Sequence, residues 1–344
     1  MRRVSKLAAS VAATVALALS AAACGESSTE SEGAEKGPAV AFDVGGRDDQ
    51  SFNESAARGG DKAEEELGVE VFYQTAREGE TDADREQRLT QMAEAGYDPV
   101  IGVGFLYGTA VERAAEQFPD TTFGIVDSVV EADNVYSMVF AEHEASYLAG
   151  VAAALKTQTN VVGFIGGENN PLIQKFQAGF EQGVADTSPD VEVLVEYLYE
   201  NSGTGAGFAD PAKAKEKADG MIVRDADIIY TAAGASGNGS IEEVAKHEGV
   251  WAIGVDSDQY QQEGLAEWQD HILTSAVKAV DVAVFDLIQS VESGEPLSGV
   301  GEYGLAEEGV YLATSGGFID DIQAEIDAAR EGIINGDIEV SQTP

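Results

Sequence analysis

From residue 39 onward the chain alternates apolar runs of strand length with longer amphipathic segments, and this alternation restricts the architecture more than any other feature. The apolar run 39–44 is followed by the helical pattern 51–67, 69–74 by 81–95, and 99–103 by 108–117, after which comes the run 122–126. Repetition of this kind reads as consecutive βαβ units, hence a parallel sheet covered by helices. The pattern then starts again. Runs at 135–140, 161–165, 191–199, 228–231 and 251–255 are separated by helical stretches at 142–156, 174–185, 211–224 and 241–247. A further strand at 272–277 leads into a helix at 279–291, a hairpin-like stretch near 299–313 and a terminal helix at 320–331. The expected fold is therefore α/β, with two doubly wound parallel-sheet domains joined by a hinge where the chain passes between them.

In open α/β sheets, ligands bind just beyond the carboxyl ends of the strands. Here those ends read Phe42-Asp43-Val44-Gly45-Gly46, Gly102-Val103-Gly104, Ile125-Val126-Asp127-Ser128, Ile165-Gly166-Gly167, Ala232-Ala233-Gly234 and Gly254-Val255-Asp256-Ser257-Asp258. The glycines let backbone approach a ligand, and Asp43, Asp127 and Asp256 each follow a buried strand. Each aspartate admits two readings, as a cap on the following helix or as a group facing a cleft. Three of them distributed over both domains favour a shared polar cleft.

Enzymatic readings find little support in the inventory. His143, His247 and His271 are far apart, with no pair at an i, i+4 spacing to signal a metal centre. The mature chain has no cysteine nucleophile and no Gly-x-Ser-x-Gly elbow. The glycine clusters at 102–108 and 234–239 miss the dinucleotide and phosphate-loop spacings, and the acidic stretch 43–54 places Gly45 and Arg47 where calcium ligands would stand. No cofactor or metal is called for. What remains is recognition by stacking and hydrogen bonding. Phe52 opens a helix whose other early residues are polar, and Phe208 sits in a glycine-rich stretch just before another helix. One aromatic at each rim can clamp a flat ring, or each can pack on its own helix as a staple. Lys278 is the cation closely following a strand that crosses between domains.

The first 23 residues, a basic start followed by 17 apolar or small residues from Leu7 to Ala23, have the form of a secretory leader and are set aside from the fold. Cys24, the single cysteine of the 344-residue chain, stands directly after Ala21-Ala22-Ala23. That arrangement resembles a bacterial lipoprotein box, which implies a lipidated thiol and attachment to the extracytoplasmic face of the cell membrane. A plain secretory leader and an uncleaved anchor helix are the other readings, although the apolar run is short for a span. Residues 25–38 are small, polar and acidic, the composition of a disordered tether. With 62 acidic residues against 20 basic ones the chain carries net charge −42, and losing Arg2, Arg3 and Lys6 with the leader would leave −45. Such a surface repels phosphate backbones and argues against nucleic-acid binding.

Asp43-Val44-Gly45-Gly46 with Asp49-Gln50-Ser51-Phe52-Asn53, then Ala232-Ala233-Gly234 with Gly237-Asn238-Gly239, then Gly254-Val255-Asp256-Ser257-Asp258-Gln259 resemble the basic membrane protein family. Its members are substrate-binding lipoproteins of ABC transporters, similar to the purine nucleoside receptors of spirochaetes and streptococci. The resemblance implies the type I periplasmic-binding fold, in which the chain crosses the hinge three times. It implies lobes at 39–138 plus about 273–300 and at 139–272 plus about 301–344, after the leader (1–23) and the anchor and linker (24–38). It also implies a purine sandwiched between Phe52 and Phe208, with Asp256 and Lys278 on the ribose and Asp127 facing the base. Asp43, Ser51, Asn53 and Gly234 would line the cleft. A carboxylate accepts from two vicinal hydroxyls or from base N–H groups, and Lys278 donates. On this reading the protein is no enzyme. It is a monomeric, lipid-anchored receptor that captures a nucleoside and hands it to the permease and ATPase subunits of a transporter. The alternatives are a sugar or autoinducer receptor of the same fold, or a nucleoside-sensing surface lipoprotein with no transport role.

Overall fold

The structure, a computed structural model, describes residues 36–77 and 79–344; the leader, Cys24 and the tether up to residue 35 lie outside the described residues. The first lobe is built from β1 (Ala39–Phe42), α1 (Phe52–Leu67), β2 (Phe72–Thr75), α2 (Asp82–Glu94), β3 (Val100–Gly102), α3 (Gly108–Gln117), β4 (Phe123–Val126) and β5 (Val135–Phe140). All residues of β1, β3 and β4 are buried, as strands covered by helices on both faces must be. The second lobe repeats the scheme with α4 (Glu142–Lys156), β6 (Val161–Asn169), α5 (Pro171–Thr187), β7 (Glu192–Glu200), α6 (Pro211–Ile222), β8 (Ile228–Ala232), α7 (Gly237–Val244), β9 (Trp251–Asp256) and β10 (Ile272–Lys278). The chain ends with α8 (Val280–Glu292), β11 (Gly299–Tyr303), β12 (Val310–Leu312) and α9 (Gln323–Ile334).

Two sheets result, ordered β11-β5-β4-β3-β1-β2 and β12-β10-β9-β8-β6-β7. Each is the doubly wound order 2-1-3-4-5 extended by one late strand, and every pairing is parallel except that of β12 with β10. The order reverses between β1 and β3 in one sheet and between β6 and β8 in the other, which is where such sheets take ligands. Register carries this to individual residues. Ala41 pairs with Gly102, so Asp43 and Gly104 emerge level with each other. Gly166 pairs with Ala232, so Glu168 and Gly234 do the same in the second sheet.

The late chain corrects two expectations. β10 is buried throughout and continues the ladder of β9, so it belongs to the second sheet, and the return to the first lobe begins at Ala279 rather than near residue 273. From there α8 packs on α1 and β4. The hairpin expected near 299–313 does not form. β11 pairs with β5 in the first sheet and β12 with β10 in the second, so the turn between them, in which Gly309 N–H donates to Gly304 O at 2.9 Å, is itself a crossing. With the passages from β5 to α4 and from β10 to α8, the chain crosses three times.

One close approach positions the site. At Gly150, Gly179 and Gly183 an added Cβ would lie 2.1–2.3 Å from a backbone oxygen of the facing helix. Only glycine lets α4 and α5 approach that closely. This contact brings Glu142, at the start of α4, beside Lys175 on α5.

Candidate functional site

Eight of the nine expected ligand residues, Asp43, Phe52, Asn53, Asp127, Phe208, Gly234, Asp256 and Lys278, line one cavity between the carboxyl ends of the two sheets. Ser51 does not line it. Its hydroxyl is fully buried and donates to Asp256 Oδ2 at 2.7 Å, so it fixes a wall residue from behind.

None of the three strand-end aspartates caps a helix. Asp43 Oδ1 accepts from its neighbour Val44 N–H at 2.8 Å, and its other oxygen lies against Gly104, where an added Cβ would come within 2.5 Å of it. Burial pushes the Asp43 carboxyl up to about 6. Asp127 and Asp256 adopt φ of 67° and 63°, a left-handed conformation that L side chains rarely take. Backbone of this kind is tolerated where the surroundings impose it, often at binding sites. Asp127 Oδ2 pairs with Lys278 Nζ at 2.7 Å, while its Oδ1 is buried without a hydrogen-bond partner. Burial raises the Asp256 carboxyl pKa against the pull of Lys278 and the bond from Ser51.

Lys278, at the end of β10, is 3% exposed and lies 3.8 Å from Glu142 Oε1 as well. Its ammonium stands 4.7 Å from the ring centre of Phe52 and 5.3 and 5.8 Å from those of Phe140 and Phe176, favourable cation–π distances. Burial alone would depress its pKa, yet Asp127, Asp256 and Glu142 together hold it above the usual lysine value.

Asn53 serves its own loop. Its Oδ1 accepts from Asp43 N–H at 3.0 Å and its Nδ2 donates to Val44 O and Asp49 Oδ2, each at 3.0 Å. Phe208 meets Phe105 of the first lobe edge-on, with centroids 6.1 Å apart, so aromatic side chains from both lobes border the cavity.

Sequence reasoning passed over Asp49, Phe105, Phe176 and Glu142. Asp49 accepts from Ser51, Asn53 and Glu54 N–H groups at 2.9–3.0 Å, an Asx-type turn that its place two residues before Ser51 signals. Phe105 follows a strand-end glycine, a position open to the same argument as Asp43. Phe176 lies mid-helix and Glu142 opens a helix, where an aromatic looks like core and a glutamate like a dipole partner.

The lining carboxylates Asp43, Asp49, Asp127 and Asp256 outnumber the single lining ammonium, Lys278. Such a cavity disfavours anions and suits a neutral ligand rich in donors, with flat apolar faces for the phenylalanines. Asp219, Glu243 and His247, whose ligand atoms lie within 4.8 Å of one another, are the metal-compatible group among the described residues. They lie outside the cavity, and Glu243 is already ion-paired with Lys246 at 2.8 Å.

The sequence profile of the Bmp family, described as ABC transporter substrate-binding protein PnrA-like, matches residues 36–343. The chain is 35% identical over 347 residues to the CD4+ T-cell-stimulating antigen of Listeria innocua, covering 94% of each. It is 33% identical over 320 residues to the ABC transporter nucleoside-binding protein BmpA of Lactococcus lactis subsp. cremoris, covering 88% of each. A solved ABC transporter solute-binding protein from Aeropyrum pernix K1 superimposes with a TM-score of 0.77 at 28% identity, over 90% of this chain and 93% of that one.

Proposed function

The chain belongs to the Bmp family of PnrA-like ABC transporter substrate-binding proteins, and from that premise we propose that it captures a nucleoside, a purine one, between its two lobes and delivers it to a permease. The observation that carries this reading is the wall chemistry. Phe52 and Phe208 come from opposite lobes and offer faces for a base, Asp127 an acceptor for base N–H groups, and Asp256 and Lys278 an acceptor and a donor for hydroxyls. The same excess of carboxylates opposes the phosphates of a nucleotide, so the ligand is an uncharged nucleoside. The Lactococcus relative, by its name, binds nucleosides. A receptor for free sugars would need no aromatic pair from both lobes, and the phenylalanines weigh against it.

Titration calorimetry on protein unfolded and refolded to strip endogenous ligand tests the reading. Adenosine, guanosine or inosine should bind with micromolar or tighter affinity, uridine and ribose more weakly, and the matching 5′-monophosphates not at all. Absence of heat with every nucleoside sinks the assignment. The protein works, on this proposal, from the outer face of the cell membrane, held by lipid on Cys24, and among the described residues no helix is long and apolar enough to cross a membrane. Cys24→Ser should release it from the membrane fraction, and unchanged retention would count against the anchor.

A further inference from the structure

Glu142 lies outside the cavity and is 2% exposed. It is the first residue of α4, just after the chain leaves β5, whereas Lys278 is the last residue of β10 before the chain leaves for α8. The two side chains thus stand at two of the three crossings between the lobes. Glu142 Oε2 accepts from Lys175 Nζ at 3.2 Å, and its Oε1, which has no hydrogen-bond partner, lies 3.8 Å from Lys278 Nζ. From the other side Asp127 takes one Lys278 N–H at 2.7 Å. The ammonium is thereby held between carboxylates: Asp127 at the cavity wall and Glu142 at the hinge.

We propose that Glu142 is a positioning residue for the ligand site: with one Lys278 N–H already given to Asp127, its hinge-side charge keeps the ammonium from turning a second one onto Asp256, leaving the remaining N–H groups for the sugar hydroxyls of a nucleoside. The inference rests on the nucleoside reading above. An ammonium has three donors and no acceptor, and in a buried site its position follows the balance of the charges around it. Neutralising Glu142 removes the pull toward the hinge. Lys278, still bonded to Asp127, then turns a second N–H toward Asp256, and a ligand hydroxyl loses its donor. The base lies against the phenylalanines and is unaffected.

The test compares wild type with Glu142→Gln, each titrated with inosine, guanosine and adenosine and with their 2′-deoxy counterparts. A hydrogen bond involving a charged group changes affinity by about tenfold or more. Glu142→Gln should therefore weaken ribonucleosides about tenfold and 2′-deoxynucleosides about twofold or less, so that discrimination for the 2′-hydroxyl collapses. Glu142→Asp, which keeps the charge, should restore part of the discrimination. If Glu142→Gln fails to fold, the same ratio is read from Glu142→Asp, where it should lie below the wild-type value. A residue with a merely structural role would lower the affinity for both ligand series alike, and that outcome, or an unchanged ratio, overturns the proposal. Wild type that binds none of the nucleosides overturns the nucleoside reading and this inference with it, whereas wild type that binds them with a ratio insensitive to Glu142 overturns this inference alone.

Discussion

Phe52 and Lys278 meet at the cavity wall, and each has a separable consequence. Phe52 is half-buried, and truncating it removes a stacking face worth about 1–3 kcal/mol for a base. Phe52→Ala is therefore expected to weaken purine nucleoside binding by one to two orders of magnitude, measured by calorimetry, with a smaller effect on the urea midpoint because the ring is only partly in the core. Lys278 is different because it neutralises buried carboxylates. Removing one partner of a buried charge cluster costs about 3–5 kcal/mol, so Lys278→Met should be strongly destabilised near pH 8. Burial already raises the carboxyls of Asp256 and Glu142, and loss of the ammonium raises them further. Both then favour the protonated form in the folded state, so the penalty is full above their folded pKa values and is relieved as pH falls through them. Urea midpoints of the two proteins should converge between pH 8 and pH 5, and a constant gap would show that the ammonium does not balance these groups.

Helix α1 shows how an element is set by residues just outside it. Its first-turn N–H groups are taken by Asp49 rather than by the adjacent Ser51, whose side chain makes no cap bond. Burial pushes the Asp49 carboxyl up to about 7, against the three backbone donors that lower it. A folded pKa above the unfolded one gives a contribution that grows as pH falls from about 7 toward the unfolded value and is lost as pH rises through 7. Wild type should accordingly gain stability relative to Asp49→Asn between pH 8 and pH 5, read from urea midpoints. His143, pushed down to about 4 by burial, acts in the opposite sense but is common to both proteins and cancels. Elements of this kind were legible in the sequence where burial is two-sided: the apolar runs at β1, β3 and β4 can only be interior strands. What an apolar run does not encode is which sheet it joins. β10 lies between β9 and β12 in the second sheet and β11 at the edge of the first, and the choice between the two sheets depends on contacts distant in sequence. The same limit hid Glu142 and Phe176, whose significance comes from the approach of α4 to α5 and to Lys278, whereas strand-end glycine and aspartate announced Asp43, Asp127 and Asp256 through chain position alone.

At the scale of the whole molecule, charge and closure are the two terms to weigh. A net charge of −42 favours expansion by self-repulsion, and salt near 1 M shortens the screening length to about 3 Å, so the urea midpoint should rise with sodium chloride. Against this repulsion the lobes are stitched directly at the start of α1. Ser257 Oγ donates to Ser51 O at 2.6 Å, Asn238 Nδ2 to Asp49 O at 3.1 Å, Gln259 Nε2 to Gln50 O at 3.0 Å, and Gly264 N–H to Gln50 Oε1 at 3.0 Å. These bonds join protein to protein, and they form only when the lobes meet, so their free energy adds to whatever a ligand contributes to hinge closure. Each is worth about 1 kcal/mol, and a loss of 1–2 kcal/mol moves an equilibrium by a factor of about 5–30. Neither Ser257 nor Asn238 lines the cavity, so the double variant Ser257→Ala, Asn238→Ala replaces no wall side chain. It should enlarge the radius of gyration of the stripped protein in X-ray scattering, leave that of the ligand-saturated protein equal to wild type, and weaken ligand affinity by about the same factor as it shifts closure. Equal affinity in the two proteins would mean that the stitched segment forms independently of closure and that the ligand alone draws the lobes together.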